Sequence, residues 1–177
     1  MKFPDEHTHI KTQGSLAILT FIREEIIYDV ENYCFIEGDL KEGDEHSKHQ
    51  VFDVAQDGNI DRVTRVLDLT FERCVDLCYP YTKKEICKFT RRDDELEEED
   101  EYVMKMNLPA HFSDTTVTLL EKLIHEILVC RVMEDWLSIT NPKASEKWKI
   151  KADNLEAEVS SALTRRTRFV RRKLRPF

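Results

Sequence analysis

A long apolar helical pattern at residues 113–139 constrains the fold of this chain more than any other feature. Ser113 can cap its first turn, and Asn141 followed by Pro142 marks the boundary with the next helix. The main apolar positions follow helical spacing: Val117, Leu120, Ile124, Ile127, Leu128, Val132, Trp136 and Ile139. Further apolar residues widen this stripe: Leu119, Leu123, Val129, Met133 and Leu137. A helix that is apolar over so wide a face must be covered on several sides, so the pattern predicts a central helix.

Four other segments show helical spacing and could surround this central helix. They lie at residues 23–37, 45–55, 60–78 and 142–163, and Pro80 ends the third of them. The chain has only four glycines and five prolines, which favours long helices over a sandwich or a barrel. We therefore expect a mainly α protein, a helical bundle of about four to five helices.

One region interrupts the helical pattern and alternates as a strand does. Tyr102, Met104, Met106 and Leu108 alternate with Val103, Lys105 and Asn107. Upstream, Cys87 and Phe89 alternate with Lys88 and Thr90. These alternations predict one projecting β-hairpin at about residues 85–108, with the acidic loop 92–100 at its tip.

These elements divide the chain into three parts. Residues 1–22 are expected to be an N-terminal tail, poorly ordered or holding one short element, because the apolar run 16–22 suits either a strand or the first turns of a helix. Residues 23–163 should form a single helical domain with the hairpin as an insertion. Residues 164–177 should form a basic C-terminal tail.

Charge is distributed unevenly along the chain, although the net charge is only −8. Residues 143–177 carry 11 bases and 4 acids, whereas the preceding 142 residues carry 16 bases and 31 acids. Eight acids fall within residues 93–101, and seven bases fall within residues 165–175. We predict that these two runs hold the interaction residues: Glu97, Glu98, Glu99 and Asp100 in the first, and Arg165, Arg166, Arg168, Arg171, Arg172, Lys173 and Arg175 in the second. The runs could attract each other within a chain or between copies, the basic run could bind phosphates, or both could simply be solvated.

The chain carries no complete metal-binding motif. His46 and His49 are spaced i, i+3, and Cys74 and Cys78 are spaced i, i+4, but neither pair has the further ligands of a zinc site. Residues 57–68 lack the sixth-position glycine and twelfth-position glutamate of a calcium loop. We therefore predict no metal and no cofactor. The five cysteines lie in apolar patterns, as core residues do, which suits a reducing compartment.

One pair of residues could in principle support catalysis. His125 and Cys130 lie within helical reach of each other on the central helix. On a single helix they would lack oxyanion donors and a third group to orient the base, so we predict a satisfied core histidine instead. We therefore expect no catalytic residue, no small-molecule substrate and no enzyme activity.

The sequence predicts neither membrane insertion nor secretion. No apolar stretch approaches the roughly 20 residues that span a bilayer. Residues 5–9, DEHTH, are unlike the basic head of a signal peptide.

Five blocks of sequence resemble a phage or prophage-type protein family of gut bacteria. They are YDVENY at residues 28–33, GNIDRVTRVL at 58–67, LCYPYTK at 77–83, DWLSITNP at 135–142 and RRKLRPF at 171–177. The resemblance extends over residues 23–177 and brings no catalytic or ligand-binding residues with it.

More loosely, the chain resembles phage head–tail connector (adaptor) proteins, which are small, mainly helical and assemble as rings between portal and tail. Their layout includes an extended hairpin and then Leu-Pro before a long apolar helix, which Leu108 and Pro109 match here. The chain departs from this layout in its greater length and its basic C-terminal helix and tail.

The resemblance implies a non-enzymatic subunit of virion assembly, whose partners are copies of itself and other phage structural proteins. It would lie in the bacterial cytoplasm during assembly and in the virion afterwards. The alternative hypothesis, from the residues alone, is an accessory protein that binds nucleic acid through its Arg-rich C-terminal segment.

Overall fold

The computed structural model describes residues 15–83, 100–109 and 112–164 of the 177-residue chain. Within them it is mainly helical, with six helices and a two-stranded antiparallel sheet, which confirms the predicted fold class. The elements in chain order are β1 (Ser15–Ile22), α1 (Arg23–Leu40), α2 (Glu45–Phe52), a turn of 3-10 helix (Asp53–Ala55), α3 (Asp57–Leu77), α4 (Tyr79–Thr82), β2 (Glu101–Leu108), α5 (Asp114–Thr140) and α6 (Pro142–Leu163).

Helix α5 is the centre of the bundle, as its wide apolar pattern predicts. It packs along α6 and also contacts α1, α2, α3 and β1. Twelve of its residues are buried, including the unbroken run 127–130. No residue of its middle part, residues 123–137, is exposed, whereas its first turns expose Asp114, Thr118 and Lys122. Among the described helices, none combines the length and the apolarity needed to cross a bilayer.

The helix boundaries follow local chemistry. Pro80 lies in the first turn of α4, so α3 ends at Leu77, where the sequence predicts an end. Helix α1 continues through Gly38 to Leu40, three residues beyond the predicted end at residue 37. Glycine is required at position 38, because the Phe52 ring packs so closely on it that a Cβ there would overlap the ring.

Strand β2 coincides with the predicted alternating strand, and its partner is β1. The two strands pair in register from Ser15 opposite Leu108 to Ile22 opposite Glu101. Residues 15–22, which the sequence analysis assigns to an N-terminal tail, therefore belong to the folded unit. The predicted partner of β2 near residues 87–90 and the predicted acidic tip lie mostly outside the described residues.

The inner face of the sheet joins the core. Leu19 and Phe21 of β1 are buried together with the apolar positions of β2. Phe71 of α3 contacts the ring of Phe21 at 6.3 Å and the ring of Tyr102 at 5.1 Å. The Tyr102 hydroxyl donates a hydrogen bond to Asp68 at 2.7 Å, which satisfies the polar end of an otherwise buried ring.

Candidate interaction surfaces

Of the eleven predicted interaction residues, only Asp100 lies in the described part of the chain. Glu97, Glu98 and Glu99 and the seven bases of residues 165–175 lie outside it. Asp100 is exposed, and its backbone carbonyl accepts a hydrogen bond of 3.0 Å from the backbone N–H of Arg23. The structure therefore fixes where the acidic run joins the fold: at the start of β2, beside the start of α1.

The basic segment, residues 165–177, follows the fold at a different place. It follows Leu163, whose carbonyl accepts a hydrogen bond of 3.0 Å from the Tyr81 hydroxyl. The Tyr81 ring contacts Phe112, just beyond the far end of β2, at 5.5 Å. A strand of eight residues such as β2 is about 26 Å long. The acidic run therefore ends at one end of β2, and the last described residue before the basic segment, Thr164, follows Leu163 near the other end.

The outer face of the sheet is unusually apolar for an exposed surface. Leu16, Ile18 and Ile22 of β1 are 56%, 55% and 40% exposed, and Val103 of β2 is 45% exposed. Thr20 lies among them, directly opposite Val103. Polar residues of β2 lie opposite the apolar residues of β1: Asn107 opposite Leu16, Lys105 opposite Ile18 and Glu101 opposite Ile22. Exposed apolar side chains gathered on one face of a sheet mark a candidate protein–protein contact surface.

A second apolar surface lies on the outer face of α1. Tyr28, Phe35 and Ile36 are 64%, 59% and 52% exposed, and Phe35 stacks on Phe52 of α2 with ring centroids 5.4 Å apart. The exposed charged residues of α1 are all acidic: Glu24, Glu25, Glu31 and Asp39. The one base in this helix, Arg23, is buried. This outer face is therefore both apolar and acidic.

A group of aromatic and charged side chains anchors the start of α6 to α1. The Trp148 indole N–H donates to Glu37 at 3.1 Å, and Lys147 pairs with the same buried carboxylate at 2.5 Å. Lys151 lies over the rings of Tyr33 and Trp148, at 5.3 and 4.9 Å from their centroids. These contacts hold two helices together, and we assign them a structural role.

An ion-pair network joins the middle of α6 to α5. Arg131 contacts Glu156 at 2.5 Å, Glu134 at 2.6 Å and Asp153 at 2.7 Å. Burial alone would lower the pKa of Arg131, but the hydrogen bonds that its guanidinium donates to these carboxylates raise the pKa well above its ordinary value. In the same way, the hydrogen bond with Glu126 outweighs the effect of burial and raises the pKa of Lys151.

The described cysteines are core residues, as predicted. Cys34, Cys74, Cys78 and Cys130 are all buried. Burial raises the pKa of each thiol to about 12, so all four stay protonated and unreactive near neutral pH.

His125 is satisfied, as predicted, although it lies at the surface rather than in the core. Its Nε2 is 2.8 Å from a carboxylate oxygen of Asp29, and its side chain is 26% exposed. Cys130 contacts Glu126 instead. His125 therefore joins α5 to α1, and the described contacts give no sign of a Cys–His pair.

The clefts in the described surface are small. One of about 190 Å³ lies between α3 and α6 beside Arg73 and Glu156, and one of about 280 Å³ lies beside Trp136 and Ile139. Ligand pockets usually occupy about 300–1,000 Å³. Within residues 15–83, 100–109 and 112–164, no group of three His, Cys, Asp or Glu side chains is placed to hold a metal ion.

Within the described residues, the exposed bases of α6 do not form a continuous stripe that leads up to the basic segment. Lys143, Lys147 and Lys149 are exposed on the first half of α6. The second half carries the exposed acids Asp153 and Glu158 instead. About 22 Å of helix separates Lys149 from Thr164, where the basic segment begins. Any binding of nucleic acid would therefore depend on residues 165–177 themselves.

Comparison with known proteins gives no match: no protein-family model, no curated protein and no solved structure is significantly similar to this chain.

Sequence reasoning missed both apolar surfaces. The apolar residues of the outer sheet face were visible in the run 16–22, but a short apolar run does not reveal which of its residues will be covered.

Proposed function

We propose that this protein is a non-enzymatic assembly subunit of the phage head–tail connector type, which acts through contacts with copies of itself and with other phage structural proteins. The observation that carries the proposal is the exposed apolar outer face of the β1–β2 sheet. The resemblance of the sequence to connector proteins supports it, as does the separation of the acidic and basic runs. Heterologous contacts between different faces of one subunit can close into a ring.

The size of the sheet face suggests how strongly it would bind. Complete burial of one Val, Leu or Ile side chain contributes about 2 kcal/mol, and the four here are roughly half exposed, so burying all four contributes about 4 kcal/mol. Association itself costs about 4–15 kcal/mol in lost translational and rotational freedom. One sheet contact alone is therefore too weak for a stable dimer. A ring, in which every subunit makes two contacts, is favoured by the high effective concentration of the second contact.

A paired substitution tests the sheet face. Leu16→Ser with Ile18→Ser removes about half of its exposed apolar surface, which should weaken self-association about 30-fold. The matched control is Leu69→Ser with Ile150→Ser, because these residues are 74% and 53% exposed, about as much as Leu16 and Ile18 or more, but lie on α3 and α6. Light scattering behind gel filtration, over a range of protein concentrations, measures the effect. Equal association of the two variants would contradict the proposal.

A second candidate function is binding of nucleic acid, which the seven bases and no acids of residues 165–177 favour. It predicts binding to unrelated DNA duplexes that weakens steeply between about 50 and 500 mM salt and is lost when residues 165–177 are removed. Absence of binding at low salt would exclude this function.

A further inference from the structure

We propose that the outer face of α1 is the docking site for the basic C-terminal segment, residues 165–177, of a neighbouring copy. This inference rests on the proposed function, because it requires that copies of the chain associate. It assigns the basic segment a receptor within the same protein, on a helix that carries none of the predicted interaction residues.

The receptor surface combines apolar side chains with acidic ones. Tyr28 and Phe35 are spaced i, i+7 on the line of α1 that points away from the core, and more than half of each residue is exposed. Two helical turns separate them, a distance of about 10 Å. The exposed acids of this helix flank the pair: Glu24, Glu25, Glu31 and Asp39. Since the single base of α1 is buried, the exposed charges that α1 itself contributes to this face are all acidic.

The basic segment has the complementary pattern. It carries seven bases and no acid. Its apolar residues Phe169, Val170, Leu174 and Phe177 are interleaved with these bases. A basic segment with interleaved apolar side chains complements an apolar, acidic helix face in both charge and hydrophobicity.

The length of the segment favours a neighbouring copy over the same chain. Leu163 is held beside α4, and seven residue steps separate it from Val170, which span at most about 25 Å when fully extended. The docking face points away from α5, because the opposite face of α1 is buried. A segment of the same chain would have to pass around α1, a helix about 10 Å across, within that length. A segment from a neighbouring copy meets no such restriction.

Charge reversal of each side, in the full-length chain, tests the contact. Glu31→Arg with Asp39→Arg reverses the receptor, and Arg171→Glu with Arg172→Glu reverses the segment. Each pair should weaken self-association at least tenfold, because it replaces attraction between the two surfaces by repulsion. A matched control, Asp61→Arg with Glu72→Arg, makes the same change in net charge at exposed positions of α3 and should change association less than twofold.

Mixing the two reversed chains distinguishes a contact between copies from one within a chain. Each variant alone should remain monomeric in sedimentation velocity, whereas the mixture should form a complex, because it contains one intact receptor and one intact segment. A mixture that stays monomeric overturns the assignment to a neighbouring copy. A receptor variant that associates as the wild type does overturns the docking site itself.

A direct binding measurement separates this inference from the proposed function. A labelled peptide of residues 165–177 should bind the full-length segment-reversed chain in fluorescence anisotropy, and binding should be lost when Glu31→Arg and Asp39→Arg are added. The sheet substitutions Leu16→Ser and Ile18→Ser should leave peptide binding unchanged. If the sheet variant loses self-association but the peptide does not bind, the proposed function stands and this inference fails.

Two further outcomes are also decisive. A peptide that binds a DNA duplex but not the chain would overturn the inference in favour of the nucleic-acid alternative. A wild-type chain that remains monomeric up to about 1 mM would overturn docking on a neighbouring copy.

Discussion

Arg131 is the cation that holds α6 on α5, and its removal provides a quantitative test of the bundle. It contacts Glu134, Asp153 and Glu156, and Glu156 also pairs with Arg73 of α3 at 3.1 Å. The Arg131 side chain is only 11% exposed. We predict that Arg131→Met destabilises the fold, because three carboxylates are then left close together without their shared cation.

The expected magnitude follows from the exposure of the partners. Breaking a fully buried ion pair by removing one partner costs about 3–5 kcal/mol, whereas an exposed pair contributes about 0–1 kcal/mol. The partner carboxylates here are between 18% and 54% exposed. We therefore expect a loss of about 2–3 kcal/mol in the free energy of unfolding. Methionine keeps the apolar stem of the arginine, so the loss reports mainly on charge.

Urea unfolding followed by circular dichroism measures the change. The control is Arg62→Met, which breaks the more exposed pair of Arg62 with Asp135, 49% and 33% exposed, and should cost less than about 1 kcal/mol. A double-mutant cycle of Arg131→Met with Glu156→Gln should give a coupling energy of about 1–2 kcal/mol. If Arg131→Met costs no more than Arg62→Met, or if the coupling is absent, the network does not hold α6 in place.

Four further outcomes are expected in the same unfolding assay. Gly38→Ala should destabilise the protein by about 1–3 kcal/mol, because its Cβ would overlap the ring of Phe52. Gly58→Ala, at an open position in α3, should stabilise it by about 0.5–1 kcal/mol, and equal effects of the two would contradict the packing at Gly38. Leu19→Ala should cost about 2–5 kcal/mol, because this side chain is buried beneath the sheet; a loss below 1 kcal/mol would place β1 outside the core. Alkaline pH should destabilise the fold from pH 9.0 towards about 12, since the buried Cys130 thiol keeps its proton in the folded state and loses it in the unfolded state. By pH 10 the free energy of unfolding should have fallen by on the order of 1 kcal/mol per buried cysteine. The Cys130→Ala variant should therefore lose correspondingly less stability than the wild type between pH 8 and pH 10. An equal loss in the variant would refute this reasoning.

The helical part of the fold could be predicted because its signals are local. The apolar stripe of α5 is so wide that it must be covered on all sides, wherever its neighbours come from. Pro80 and Pro142 set the helix boundaries through their own backbone geometry. The alternation of residues 102–108 predicts a strand for the same reason, because successive side chains of a strand point to opposite faces.

The partner of that strand could not be predicted from these signals. The chain pairs β2 with β1, which lies before α1, about 80 residues earlier in the sequence. Alternation shows that a segment is extended and half-buried, but it carries no information about which other segment completes the hydrogen bonds. The same limit applies to Arg131 and Glu156, which meet only because the turn at Pro142 lays α6 back along α5.

The two candidate surfaces show most directly which features the sequence determines and which features the tertiary structure determines. The sequence alone determined that α1 is a helix, and that the chain has an acidic run and a basic run. Helix α1 carries apolar residues around much of its circumference, so periodicity could not decide whether Ile26 and Val30 or Tyr28 and Phe35 would face the core. Packing against α5 buried the first pair and left the second exposed. Only the tertiary structure decided which apolar side chains remain for a partner, because burial depends on contacts between segments that are distant in the chain.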